Sequence, residues 1–298
     1  MKMAVVDIGS NAVRSTFYGI DKIHGDEIMM KKLSYLRLPI RLGEDVFTEE
    51  CEISADKFNK MLSMAHAFKH LCMIHDVTDY RIVATSAMRE AKNAQLLIDL
   101  IRIQKELEVE IIDGEEEAEL IFESIFSSDC IKDDGCYMLI DVGGGSTEIT
   151  FFQKGESKAA RSFKLGSVRC KEKLFDQPEW ITFQEWVMEN AAKYKPKEAI
   201  GTGGNINRLH KLNSLKKSEP LDRAQIRESI DYLNKFTYKE LLEEVKLKSD
   251  RADVIIPASE IYYMAMVTAG LEKIVVPKVG LAEGVARKLF RTHMASES

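Results

Sequence analysis

With six prolines, five cysteines and two tryptophans in 298 residues, the chain has little of what marks several protein classes. So few prolines, and no long Ser/Gly tract, argue against a disordered chain, while an apolar fraction of 45% can build two cores. Cys51, Cys72, Cys130, Cys136 and Cys170 are odd in number and lack CxxC spacing. They read as reduced, partly buried thiols, not as a disulfide framework or a zinc set. No apolar run nears the length of a membrane span, and Met1-Lys2-Met3-Ala4-Val5-Val6-Asp7 meets an acid too soon for a secretory apolar region. A cytoplasmic protein with no membrane partner is expected. A formal charge of −6 and the lack of an extended Lys/Arg block weigh against a nucleic-acid partner.

What the chain does have is one kind of turn written twice. Val5-Val6-Asp7-Ile8-Gly9-Ser10-Asn11 and Leu139-Ile140-Asp141-Val142-Gly143-Gly144-Gly145-Ser146-Thr147 each run from an apolar strand through Asp and Gly to a small hydroxyl residue. Small side chains after a strand let backbone N–H groups approach a phosphate, and the aspartate can hold a metal ion or orient water beside it. Two such turns point to a polyphosphorylated ligand and to phosphoryl chemistry.

The order of elements repeats as well. Strands are expected over 2–7, 14–21 and 27–37, the last two closing a hairpin at His24-Gly25-Asp26, and a helix over 54–74 with Ser54 as N-cap. A strand over 81–84, a helix opened by Thr85, a helix over 94–107, a strand over 109–112 and an acidic helix over 115–127 complete the first round. The polar segment 127–134 reads as a boundary. Strands over 137–141, 147–153 and 159–164 follow, with helices over 167–174, 182–192, 206–216, 222–233, 238–244, 257–270 and 281–291, and a strand over 273–276. Strand, Gly-rich turn, more strands and then helices occur in both halves, which predicts two α/β domains. Met29-Met30, Tyr262-Tyr263-Met264, Trp180 and Trp186 read as packing, His66 and His70 as a surface or core pair, and Lys193, Lys195 and Lys197 as a solvated rim.

Beyond the two turns, Asp7-x-Gly9-Ser10-Asn11-x-x-Arg14, Arg41-Leu42-Gly43-Glu44 and Ala84-Thr85-Ser86-Ala87-Met88-Arg89-Glu90-Ala91-x-Asn93 occur in that order. Gly114-Glu115-Glu116-Glu117-Ala118, Asp141 through Glu148, Gly201-Thr202-Gly203-Gly204-Asn205 and Leu281-Ala282-Glu283-Gly284-Val285 follow. This ordered set resembles the exopolyphosphatase/guanosine pentaphosphate phosphatase (Ppx/GppA) family. The resemblance implies two ribonuclease-H-like α/β domains of the actin, Hsp70 and sugar-kinase superfamily, facing across a cleft. Residues 1–127 would form the first and 128–285 the second, with 286–298 a terminal helix that can pack back on the first. It further implies hydrolysis of a terminal phosphoanhydride of inorganic polyphosphate or guanosine pentaphosphate, with Mg²⁺ as cofactor. The chain ends after the two core domains, so long polyphosphate should be shortened distributively. A homodimer is compatible with the sequence.

On that resemblance Glu117 is the water-activating base, although acids in a helix's first turn also simply complement its dipole. Asp141 and Glu148, with Asp7 in the first domain, are the expected metal-holding or water-orienting groups. Gly9, Ser10, Asn11, Arg14, Gly143, Gly144, Gly145, Ser146 and Thr147 are the phosphate grip, and the Arg89 fork suits phosphate oxygens. Asn205 and Arg208 could meet a nucleotide or distal phosphates. Direct attack of water is expected, since no motif supplies a Cys or His nucleophile. The alternatives are a guanosine pentaphosphate 5′-phosphatase, a kinase or ATPase of the shared fold, and a weakly catalytic polyphosphate or alarmone sensor.

Overall fold

The computed structural model describes residues 1–24, 27–127, 131, 134–171, 177–216 and 219–296. The expected turn at Gly25-Asp26, most of the 127–134 boundary, Cys130 and the end of the 167–174 helix lie outside these residues. Contacts divide the chain into one unit of Met1–Asp113 with Leu281–Ser298, and a second of Gly114–Gly280.

The first unit runs β1 (Lys2–Ile8), β2 (Val13–His24), β3 (Glu27–Leu38), α1 (Gly43–Val46), α2 (Ala55–His75), β4 (Asp79–Ala84), α3 (Ser86–Glu90), α4 (Ala94–Lys105) and β5 (Glu110–Ile111). The second runs α5 (Gly114–Phe126), β6 (Cys136–Val142), β7 (Thr147–Gln153), β8 (Glu156–Phe163), α6 (Ser167–Lys171), α7 (Gln177–Tyr194), β9 (Glu198–Thr202) and α8 (Gly204–Leu212). It continues with β10 (Leu221–Asp222), α9 (Arg223–Leu233), α10 (Tyr238–Glu243), α11 (Ser249–Ala252), α12 (Ile255–Ala269) and β11 (Lys273–Val275). A last helix, α13 (Leu281–Ser296), returns to the first unit and packs on β1, β2 and β4. The expected 127/128 boundary would leave α5 in the first unit, but α5 packs on β7 and β8, so the contacts group it with the second.

The two sheets share a strand order. The first is β3-β2-β1-β4-β5 and the second is β10-β11-β9-β6-β7-β8. In each, the strand carrying the Asp-Gly turn has its hairpin partner antiparallel on one side and a parallel strand on the other. β1 and β6 are almost wholly buried, as strands covered on both faces must be, hence their unbroken apolar runs. In α2 the buried residues Met61, Met64, Ala65 and Phe68 recur at helical spacing. Ser54 occupies its N-cap position but makes no side-chain cap bond.

Met29 is 56% exposed rather than packed in its strand. His66 and His70 lie on an exposed face with their Nε2 atoms 3.0 Å apart. Cys51, Cys72, Cys136 and Cys170 are free thiols, and burial pushes Cys72 and Cys170 up to about 11. α7 begins at Gln177, not 182, and carries both tryptophans inward: Trp180 packs edge-on to Phe183, and Trp186 meets Phe151 and Phe163. Phe163, itself 1% exposed, also packs edge-on to Phe183 with ring centroids 5.0 Å apart. Phe163→Ala should therefore destabilise the second unit by ~3–5 kcal/mol. Both tryptophans report on this unit, so urea unfolding followed by their fluorescence should show a lower midpoint. An unchanged midpoint would contradict the packing.

Candidate active site

Register alone assembles a polar row in the second sheet. Asp141 on β6 stands opposite Glu148 on β7 and Thr202 on β9, and Glu148 stands opposite Ser162 on β8. Residues directly opposite share a face, so the row reads Thr202, Asp141, Glu148, Ser162 across four adjacent strands. Thr202 Oγ1 donates to Asp141 Oδ1 at 2.6 Å, and Ser162 Oγ donates to Glu148 Oε1 at 2.8 Å.

Glu117 joins the row from α5. The helix begins at Gly114, where an added Cβ would lie 2.5 Å from Ser162 Cβ and 2.8 Å from Ser162 Oγ. Only a residue without a side chain lets the first turn of α5 settle on β8. Glu117 is 7% exposed and Glu148 1%. Glu117, Asp141 and Glu148 each offer one oxygen, and these oxygens lie within 4.8 Å of one another. Three hard carboxylates gathered largely out of water carry a charge that a cation would balance, and the cluster could coordinate a divalent metal.

The glycine turn between β6 and β7 is fastened from behind. Gly143 N–H donates to Ser146 O at 2.9 Å and closes the turn. The Gly143 carbonyl accepts from Ser167 N–H, and that of Gly144 from Val168 and Arg169 N–H. Arg169, 7% exposed, donates Nε to the Gly145 carbonyl, and Thr147 Oγ1 donates to Leu165 O. In a trans peptide the C=O and the following N–H point oppositely. Three carbonyls turned to α6 thus aim the N–H groups of Gly144, Gly145 and Ser146 away from it, an arrangement suited to anions. The Gly143 N–H is spent inside the turn.

The first unit repeats this device with a different outcome. Gly9 N–H closes its turn on Ala12 O at 3.2 Å, and the Ser10 and Asn11 carbonyls accept from Gly43 and Arg41 N–H. Asp7, expected beside a metal, forms an ion pair with Arg14 (Nη1–Oδ2, 2.5 Å), and Arg14, expected on phosphate, is committed to that carboxylate. Arg89 donates Nη1 to the Ile112 carbonyl at 2.7 Å, tying α3 to the chain just beyond β5. In the second unit Arg208 donates Nη2 to the Val245 carbonyl at 3.0 Å, and Asn205 is buried in the first turn of α8.

Sequence reasoning passed over the residues that hold the row. Thr202 lay inside a noted motif without a role, and nothing in the sequence marks Ser162. Tyr262 on α12 was read as packing and is fully buried, yet its hydroxyl accepts from Val142 N–H and donates to the Thr202 carbonyl. Burial, and then the Asp141 charge, hold that hydroxyl well above the usual tyrosine range, so it remains a donor. At Gly203 (φ +105°) a Cβ would stand 3.2 Å from Tyr262 Oη and 3.3 Å from Asp141 Oδ1.

The chain belongs to the Ppx/GppA phosphatase family, whose model covers residues 20–293. Membership carries hydrolase-like chemistry at family level. The chain is 26% identical to a bifunctional 3-dehydroquinate synthase/phosphatase of Fusobacterium nucleatum over 82% of its own length, and spans 38% of that protein. It is 24% identical to exopolyphosphatase 1 of Mycobacterium tuberculosis over 97% of its length and 88% of that protein's. An exopolyphosphatase from Cytophaga hutchinsonii superposes with a TM-score of 0.84 at 23% identity, covering 99% of this chain and 98% of the other, a likeness of fold. Among the described residues, no helix is long and apolar enough to cross a membrane.

Gly166 is the test of the fastening. Its Cβ would lie 2.4 Å from Gly144 O and from Gly145 C, both backbone atoms, whereas a Cβ on Gly280 meets nothing within 4 Å. Gly166→Ala should cost ~1–3 kcal/mol through overpacking and weaken phosphate binding, while Gly280→Ala leaves both near unchanged. Thermal melts and phosphate titrations of the two variants, side by side, check this; equal effects would contradict it.

Proposed function

We propose that the protein releases terminal orthophosphate from inorganic polyphosphate by direct attack of water. The observation that carries this is the convergence of Glu117, Asp141 and Glu148 beside a turn whose N–H groups point outward. Glu117 orients the water and takes its proton as the new P–O bond forms. The bridging P–O bond breaks, and the remaining chain leaves one phosphate shorter. The N–H groups of Gly144, Gly145 and Ser146 hold the terminal phosphate oxygens. Asp141 and Glu148 would hold Mg²⁺, which when bound neutralises charge on those oxygens. Asp7 has no metal role in this reading, because its partner is Arg14. The coverage of an exopolyphosphatase over nearly its whole length supports the substrate, and the repeated strand order supports membership of the actin, Hsp70 and sugar-kinase superfamily.

Orthophosphate release from long polyphosphate and from guanosine pentaphosphate, compared at equal enzyme, tests the substrate. A higher kcat/KM on guanosine pentaphosphate would overturn the choice of polyphosphate. Glu117→Gln should lower kcat by ~10²–10⁴ while leaving equilibrium binding of polyphosphate nearly intact. Near-normal turnover in that variant would remove Glu117 from the role of base. EDTA should abolish release and added Mg²⁺ restore it; full turnover in buffer shown metal-free by elemental analysis would contradict the assignment.

A further inference from the structure

We propose that Ser162 and Thr202 are positioning residues that make Glu148 and Asp141 single-oxygen ligands, and so bias the acidic cluster toward Mg²⁺ over Ca²⁺. This rests on the reading of the cluster as a cation site. In the row Thr202, Asp141, Glu148, Ser162, the two hydroxyls stand on the outside and the two carboxylates on the inside. Each hydroxyl bonds one carboxylate oxygen, Oδ1 of Asp141 at 2.6 Å and Oε1 of Glu148 at 2.8 Å. These bonds draw one oxygen of each carboxylate outward along the row, toward β9 and β8, and turn the other edge inward. A cation chelated by both oxygens of one carboxylate would compete with the hydroxyl for the bonded oxygen.

The two cations differ in what they need from such groups. Ca²⁺ accepts six to eight oxygens at about 2.3–2.6 Å and often takes carboxylates bidentately. Mg²⁺ demands near-octahedral geometry at about 2.0–2.1 Å, keeps several waters and is served by one oxygen from each of one or two carboxylates. Two carboxylates each restrained at one oxygen suit the second pattern.

Neither hydroxyl is loose. Ser162 is wedged against Gly114, where no side chain fits, so its Oγ lies between the start of α5 and Glu148. The Thr202 main chain is held by the buried Tyr262 hydroxyl, which also accepts from Val142, the residue after Asp141. The metal-facing geometry is thereby set in part from β8, β9 and α12, which offer no ligand themselves, as partners behind metal ligands often do.

The test is competition of Mg²⁺ and of Ca²⁺ against Mn²⁺, followed by electron paramagnetic resonance on the full chain without substrate. The unmodified chain should prefer Mg²⁺. Ser162→Ala and Thr202→Val, singly and together, should lower the Mg²⁺/Ca²⁺ preference, with Mg²⁺ affinity falling about tenfold in the double variant, the low end for partners behind metal ligands. Thr202→Ser, which keeps the hydroxyl, should retain the unmodified preference, and circular dichroism confirms that each variant is folded. The Ser162→Ala ratio stands by itself should the Thr202→Val chain not fold. An unmoved ratio, or equal loss of both cations, overturns the proposal while leaving the cation site in place. If the unmodified chain binds no Mn²⁺ that Asp141→Asn removes, the cation reading falls and this proposal with it.

Discussion

Three carboxylates held within 4.8 Å of one another, two of them almost out of water, are the constraint that the second unit is built around. With all three ionised, each pair of charges at that distance would repel by ~3 kcal/mol at an effective dielectric near 20. Several features oppose this cost. Glu117 sits in the first turn of α5, where the helix dipole favours an anion. Hydroxyls from β8 and β9 each satisfy a carboxylate oxygen. Tyr262, kept protonated by its burial and then by the Asp141 charge, pins the ends of β6 and β9 together. A divalent cation, which the cluster could coordinate, would offset what remains of that cost.

The two units show what one change of charge does at a repeated position. Asp7 stands opposite Arg14 in the β1–β2 ladder, and Asp141 stands opposite Glu148 in the β6–β7 ladder. The strands, the closing N–H bond of the first glycine and the outward turn recur. With arginine across the ladder the aspartate is neutralised by an ion pair; with glutamate there it becomes part of an acidic cluster. The different surroundings of the two aspartates thus follow from a side chain on the neighbouring strand, not from the turn that first marks both positions in the sequence.

That difference also marks where the sequence is legible. Apolar runs ending in Asp and Gly read as strands and turns because burial and backbone freedom act locally. Helices such as α2 and α12 show their periodicity or apolar length directly. Pro178, just inside the start of α7, was a signal for the earlier beginning of that helix. Partners were harder. Arg14, Arg89 and Arg208 have the right chemistry for phosphate, but each bonds a carboxylate or carbonyl brought near by the fold. Ser162 could not be found at all, because its face depends on the pairing of β8 with β7, which shifts register between Phe151 and Phe152. A slip of one residue would turn Ser162 away from Glu148.

Close approach explains Gly114 and Gly166 beside this site, and at Gly203 it adds to a φ of +105° that itself favours glycine. Gly114 brings α5 down on Ser162, Gly166 brings the start of α6 against the carbonyls of the phosphate-type turn, and Gly203 makes room for Tyr262 and Asp141. Each removes a side chain so that a polar group can be held by something rigid. Donors and acceptors fixed this way need no reorganisation when charge arrives, which is where preorganised sites gain over water. The same rigidity makes the carboxylate orientations a property of the sheet and its backing helix. They are set by the fold itself, and Ser162 and Thr202, which hold the carboxylates from the neighbouring strands, are part of what sets them.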